Sequence, residues 1–163
     1  PQGASGAYFV MNDQLQSTII ADPNISICSD GSPTGFHPRG HGTFAKMIEL
    51  YVKERKVLSL PEAVRKMTSL PAKTLQIEDR GVLREGMKAD LIIFDPSKVR
   101  EKATYQDPFQ FAEGFDLVII NGKIARENGT MVEKKAGAIL KPALSTMQVA
   151  DPMHVAFIAG WTQ

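Results

Sequence analysis

Cysteine is almost missing from this chain of 163 residues: Cys28 stands alone, so no internal disulfide framework can form. A lone thiol fits a reducing compartment, and a cytoplasmic location is expected on that ground. Histidine is nearly as scarce, with only three residues. An excess of either charge is missing too, since 19 Lys and Arg face 18 Asp and Glu and no like-charge run reaches five residues. Neither a nucleic-acid groove nor a polybasic membrane patch is therefore expected. Long hydrophobic runs are absent. The longest, residues 91–94 and 117–120, are strand-sized and far too short to span a bilayer. Asn24-Ile25-Ser26 and Asn128-Gly129-Thr130 match the glycosylation sequon, but nothing like a signal peptide accompanies them, and both read as chance. The start, Pro1-Gln2-Gly3-Ala4, lacks an initiator methionine and a polar lead-in. It reads as the middle of a longer polypeptide.

What is present is a core-forming composition, 43% hydrophobic, enough for one ordinary domain or a small domain with part of another. Residues 7–11 are apolar and β-prone. Asn12-Asp13 then offers a helix cap, and Leu15 and Ile19 share a face of a short helix that must stop near Pro23. Residues 25–28 read as a brief buried strand, which leads into Ser29-Asp30-Gly31 and a Gly- and Pro-rich loop through Gly42. Phe44, Met47, Ile48, Tyr51 and Val52 follow the helical i, i+3, i+4, i+7, i+8 rule, with Lys46, Glu49, Lys53 and Glu54 off the stripe. Ser59-Leu60-Pro61-Glu62 is a capping box that starts a second helix. Ser69 with Pro71 opens a third, ending near Ile77. Beyond it the pattern turns to β: 82–83, 91–94 and 117–120 are strand-like, and Asn121-Gly122 is a two-residue hairpin signal. Residues 149–163 show no clear pattern.

Spacing alone does not build a catalytic site. Asp30-Gly31 after a strand reads as a turn, or as a carboxylate at a strand's carboxyl end, where barrel enzymes keep their catalytic groups. His37 and His41 are four apart, but Pro38 and Gly40 argue against a helical metal-binding pair; His37 reads as a loop contact and His41 as the approach to the Phe44 helix. His154 has no partner, and zinc normally needs about three or four protein ligands. Arg39 is either an anion clamp, through its planar fork, or an exposed loop arginine. Cys28 reads as a buried strand residue. Glu78, Asp79 and Asp90 read as loop or capping acids.

The run from Arg80 to Asp95, Arg80-Gly81-Val82-Leu83-Arg84-Glu85-Gly86-Met87-Lys88-Ala89-Asp90-Leu91-Ile92-Ile93-Phe94-Asp95, resembles the closing segment of the amidohydrolase superfamily. Earlier motifs resemble one branch of it, the N-acyl-D-amino-acid deacylases. They are Ser29-Asp30-Gly31, His37-Pro38-Arg39, Gly42-Thr43-Phe44, Tyr51-Val52-Lys53-Glu54, Leu58-Ser59-Leu60-Pro61-Glu62-Ala63-Val64 and Lys66-Met67-Thr68-Ser69-Leu70-Pro71-Ala72. Phe94-Asp95-Pro96 and Ala103-Thr104-Tyr105 follow in the same order.

The resemblance implies an α/β fold: residues 1–77 as the end of a metal-dependent (β/α)8 barrel, 78–141 as the carboxy-terminal part of a small β-sandwich domain, and 142–163 as a tail of unassigned role. It implies residues 25–29 as the last barrel strand, with Asp30 both the catalytic acid–base and a ligand of the metal, zinc. Arg39 and His37 are expected at the substrate, an N-acyl-D-amino acid. The family's His-x-His pair and further histidine ligands have no counterpart here, so the chain is expected to be inactive alone. It is also expected to need the remainder of its polypeptide or a complementary chain. A cyclic-amide hydrolase or a non-catalytic binding or structural fragment are the alternatives.

Overall fold

The computed structural model describes residues 10–32, 35–133 and 135–140. Most of the β-prone stretch 7–11, and the tail 142–163, lie outside them.

Helix α1, Asp13–Ala21, begins just after the extended Asn12, whose Oδ1 accepts the Leu15 N–H at 2.9 Å. Its inward face differs from the Leu15–Ile19 expectation. Ile20 is buried and Gln16 accepts from the Tyr51 hydroxyl at 2.9 Å, while Leu15 is exposed. Residues 25–28 form no strand. Their side chains alternate between half-buried and exposed, but a strand needs a neighbour to share its ladder, and the backbone bonds here are a local one from Ile25 N–H to Asp22 O at 3.2 Å and one from Ile27 N–H to Lys66 O, in a helix, at 2.9 Å. Cys28 is exposed rather than buried.

The long helix starts earlier than Phe44. Pro38 is the cap, α2 runs Arg39–Lys46, and Met47–Glu54 continues it with a wider π turn, shown by Arg55 N–H bonding to Leu50 O at 2.7 Å. Met47, Ile48 and Tyr51 are buried as the stripe predicts, but Phe44 is exposed. A π segment carries an extra residue per turn, so residues ahead of it rotate off the face set by those after it. Helix α3, Leu60–Met67, has the expected cap: Ser59 Oγ accepts the Glu62 N–H at 3.3 Å. Helix α4 is Ser69–Thr74. Lys66 is fully buried, and its ammonium donates to Asp22 O just past the end of α1.

The β half is one antiparallel sheet in the order β1 (Leu91–Phe94), β2 (Phe115–Ile120), β3 (Lys123–Glu127) and β4 (Thr130–Met131). Two Asn-Gly pairs make its tight turns, with φ of 50° and 77° at Asn121-Gly122 and 46° and 82° at Asn128-Gly129. The second is the Asn-Gly of a chance sequon, and its turn is not among the sequence expectations. Residues 82–83 are not a strand: both side chains are exposed and the segment bends without pairing. Ala45, Ile48 and Val99 form a buried cluster with Phe94 and Phe115 packed on it, so the helices and the sheet share core. Lys53 reinforces the seam by donating to Ser97 O and Val99 O at 3.1 and 2.9 Å. Among the described residues no helix is long and apolar enough to cross a membrane.

Candidate active site

Asp30 follows the irregular stretch 25–29 and itself takes the left-handed conformation, φ 48°, while Gly31 does not. Aspartate tolerates that region because its short side chain bonds locally. Gly31 is required for a different reason. A Cβ on it would stand 2.8 Å from Gly40 Cα and 3.2 Å from Ser29 Oγ, which accepts the Gly31 N–H at 3.2 Å. The two glycine backbones touch, and that contact seats the first turn of α2 against the Asp30 turn. Arg39 consequently places Nη2 2.9 Å from Asp30 Oδ2. The side chains are 41% and 54% exposed, so the pair contributes about 1 kcal/mol at most and yields readily to a competing anion.

His37 lies just before the helix. Its Nδ1 accepts the Arg39 N–H at 3.1 Å, and its ring meets Tyr105 edge-on at 5.1 Å. Burial, then the Arg39 and Lys46 charges, hold its pKa below the ordinary histidine value against the opposing pull of Asp30. His41 is inside α2, with Phe109 and Phe111 each 5.6 Å away. Phe36 meets Phe109 edge-on at 5.3 Å. The segment between β1 and β2 thus lies against the loop that carries the site.

Asp30, His37 and Arg39, all singled out by sequence, lie close together across the Asp30 turn and the start of α2; His154 lies outside the described residues. Sequence reasoning missed Tyr105 as the partner of His37, and Gly31 with Gly40 as the spacer. Ala103-Thr104-Tyr105 was visible as a motif, but nothing in spacing connects positions 105 and 37. The residues described do not make a metal site of their own: no three His, Cys, Asp or Glu side chains converge, and Asp30 offers a single carboxylate engaged by arginine.

The site therefore brings together a carboxylate in a tight turn, an arginine at the start of α2 and a histidine backed by the segment between β1 and β2. The chain belongs to the amidohydrolase family, whose signature matches residues 6–126. It is similar to N-acyl-D-aspartate deacylase of Alcaligenes xylosoxydans xylosoxydans, 36% identical over 141 residues, which is 85% of this chain and 28% of that protein. A solved D-aminoacylase described with a binuclear metal centre superposes with a TM-score of 0.78 at 34% identity, over 82% of this chain and 29% of that one. An N-acyl-D-glutamate deacylase from Bordetella bronchiseptica, complexed with zinc and a phosphonate that mimics the tetrahedral intermediate, gives 0.71 at 34% identity, over 76% and 26%. The chain therefore spans less than a third of the length of these relatives.

Proposed function

We propose that this chain is the carboxy-terminal part of a zinc-dependent hydrolase of N-acyl-D-amino acids, with Asp30 carrying the proton transfers. The observation behind the reading is the Asp30–Arg39 pair, which joins the Asp30 turn to the first residue of α2, in a chain similar to deacylases of that substrate class. Residues 25–29 are then the last strand of a (β/α)8 barrel, paired with strands from length this chain does not span. The α2–π helix is the last barrel helix, and the sheet is part of a small β-sandwich domain.

Amides resist water, so the hydrolysis needs an activated nucleophile and a protonated leaving amine. A bound zinc would supply the first by acidifying water to a pKa of roughly 7. Asp30 would hold it through one carboxylate oxygen, with further ligands from outside the described residues. The Asp30 carboxylate takes the proton from the attacking water and returns it to the departing nitrogen, so one group acts as base and then as acid. Arg39 spends one guanidinium nitrogen on Asp30, which leaves the rest of its planar fork to hold the substrate carboxylate. His37 sits behind Arg39 and fixes its backbone.

The test is amine release from N-acetyl-D-methionine and its L-enantiomer by the full-length protein with zinc. Turnover of the D form alone is expected. Asp30→Asn keeps the shape and tolerates positive φ but cannot take the proton, so turnover should fall on the order of 100- to 10,000-fold with the fold intact. Normal activity in that variant would remove Asp30 from the mechanism. If the folded, zinc-bound protein releases amine from neither enantiomer, cyclic amides become the substrates to try.

A further inference from the structure

The segment after β1 does more than cover the site loop. The Tyr105 oxygen lies 3.3 Å from His37 Nε2, across 68 residues of sequence. On the opposite side of the same ring, Nδ1 accepts the Arg39 N–H at 3.1 Å. A ring nitrogen that accepts carries no hydrogen, so the neutral imidazole has its proton on Nε2. That nitrogen donates to the Tyr105 oxygen. Arg39 then reaches Asp30 at 2.9 Å. One line of contacts runs from the β half to the catalytic carboxylate.

We propose that Tyr105 is a positioning residue for Arg39: by accepting the Nε2 hydrogen of His37 it fixes the tautomer that holds the Arg39 backbone, and so sets the aim of the guanidinium at the substrate carboxylate. This rests on Arg39 as the carboxylate clamp proposed above. The hydroxyl is the informative part of the side chain. Aromatic packing of this segment is already supplied by Phe109 on Phe36 and on His41, and by Phe111 on His41. A phenylalanine at 105 would keep its ring contact with His37 and lose the oxygen that faces Nε2. Without that acceptor the imidazole hydrogen can move to Nδ1, where it opposes the Arg39 N–H, and the first turn of α2 loses its anchor. Tyr105 touches neither substrate nor reacting atoms in this account.

The experiment compares Tyr105→Phe, His37→Asn and the double variant in the full-length zinc-loaded protein, by steady-state kinetics on an N-acyl-D-amino acid and by imidazole nitrogen NMR. In His37→Asn the side-chain oxygen replaces Nδ1 as acceptor, while the nitrogen facing Tyr105 is gone. Tyr105→Phe should raise KM about three- to tenfold with kcat within about twofold, the pattern of lost uniform binding. Its thermal midpoint should stay within about 2 °C. On the His37→Asn background the same change should alter KM by less than about 1.5-fold, because neighbours in one network are not additive. The NMR spectrum should show the hydrogen on Nε2 in the wild type and a mixture of tautomers in Tyr105→Phe. An unchanged KM, an equal effect on both backgrounds, or a wild-type hydrogen on Nδ1 would each overturn the proposal. If the wild-type protein does not turn over N-acyl-D-amino acids, the function proposed above falls. The spectra then decide this contact alone: a tautomer shift in Tyr105→Phe supports it, and identical spectra reject it.

Discussion

At the β2–β3 hairpin both residues of Asn121-Gly122 take positive φ, 50° and 77°, whereas at Asp30-Gly31 only the aspartate does, at 48°. In sequence the two pairs look alike, a short polar residue followed by glycine. At the hairpin, glycine supplies backbone freedom, and a Cβ on Gly122 would meet nothing within 4 Å. At the site, Gly31 supplies room, since a Cβ there would strike the Gly40 backbone at 2.8 Å. The backbone angles of one turn are met by the conformational freedom of its own two residues, while the other needs the room left by a helix start nine positions further on.

Adding one methyl group to each glycine sharpens the contrast. Gly31→Ala forces backbone against backbone, so the Asp30 turn and the start of α2 must part. A shift of about 1 Å at a catalytic group costs on the order of 100-fold, and turnover should fall by that much in the full-length protein. Overpacking should also cost about 1–3 kcal/mol of stability in a denaturant titration. Turnover within a factor of about two would mean that the glycine contact does not place Asp30. Gly122→Ala meets open space but must hold φ +77°, so it should cost about 1–2 kcal/mol and leave turnover unchanged. A loss of activity there would tie the hairpin to the site and end the distinction.

The same division explains what could be read from the sequence. Caps and tight turns are local, and the Asn12 and Ser59 caps and the Asn121-Gly122 hairpin stand where their motifs put them. The Asn128-Gly129 turn carries the same signal inside a sequence that also matches a sequon. Residues 25–28 and 82–83 have strand-like composition, but a strand exists only where a neighbour pairs with it, and none of the described residues does so. Phe44 fails for a related reason: a π turn downstream changes the period on which the stripe was counted. At the site, Asp30, Arg39 and His37 were legible as residues. Their geometry was not, because Gly31 against Gly40 and His37 against Tyr105 are set by chain packing, and neither pair has a spacing that marks it.

The smallest expected effect follows from the His37 ring, for which the hairpin has no equivalent. Burial is the first cause of its lowered pKa; the Arg39 and Lys46 charges add to it and Asp30 subtracts, with the Tyr105 hydroxyl on the far side of the ring. The unfolded chain keeps the ordinary value near 6.5. Between the folded pKa and that value the unfolded state binds more protons, so stability rises with pH through this window. The contribution is fully present above about 6.5 and is lost as pH falls through the folded pKa. Protonation also puts a hydrogen on Nδ1, where the Arg39 N–H now points, so the loss should be felt first at the start of α2. Lowering the pH from about 7.5 to 5 should therefore reduce the thermal midpoint by about one to a few degrees. It should speed amide exchange at Arg39 more than at Gly122, whose N–H bonds to Ala89 O at 2.9 Å. His37→Asn, which keeps an acceptor but does not titrate, should flatten the response. Equal acceleration at Arg39 and Gly122, or the same pH response in His37→Asn, would mean that the site loop is no more dependent on its remote partners than the hairpin is.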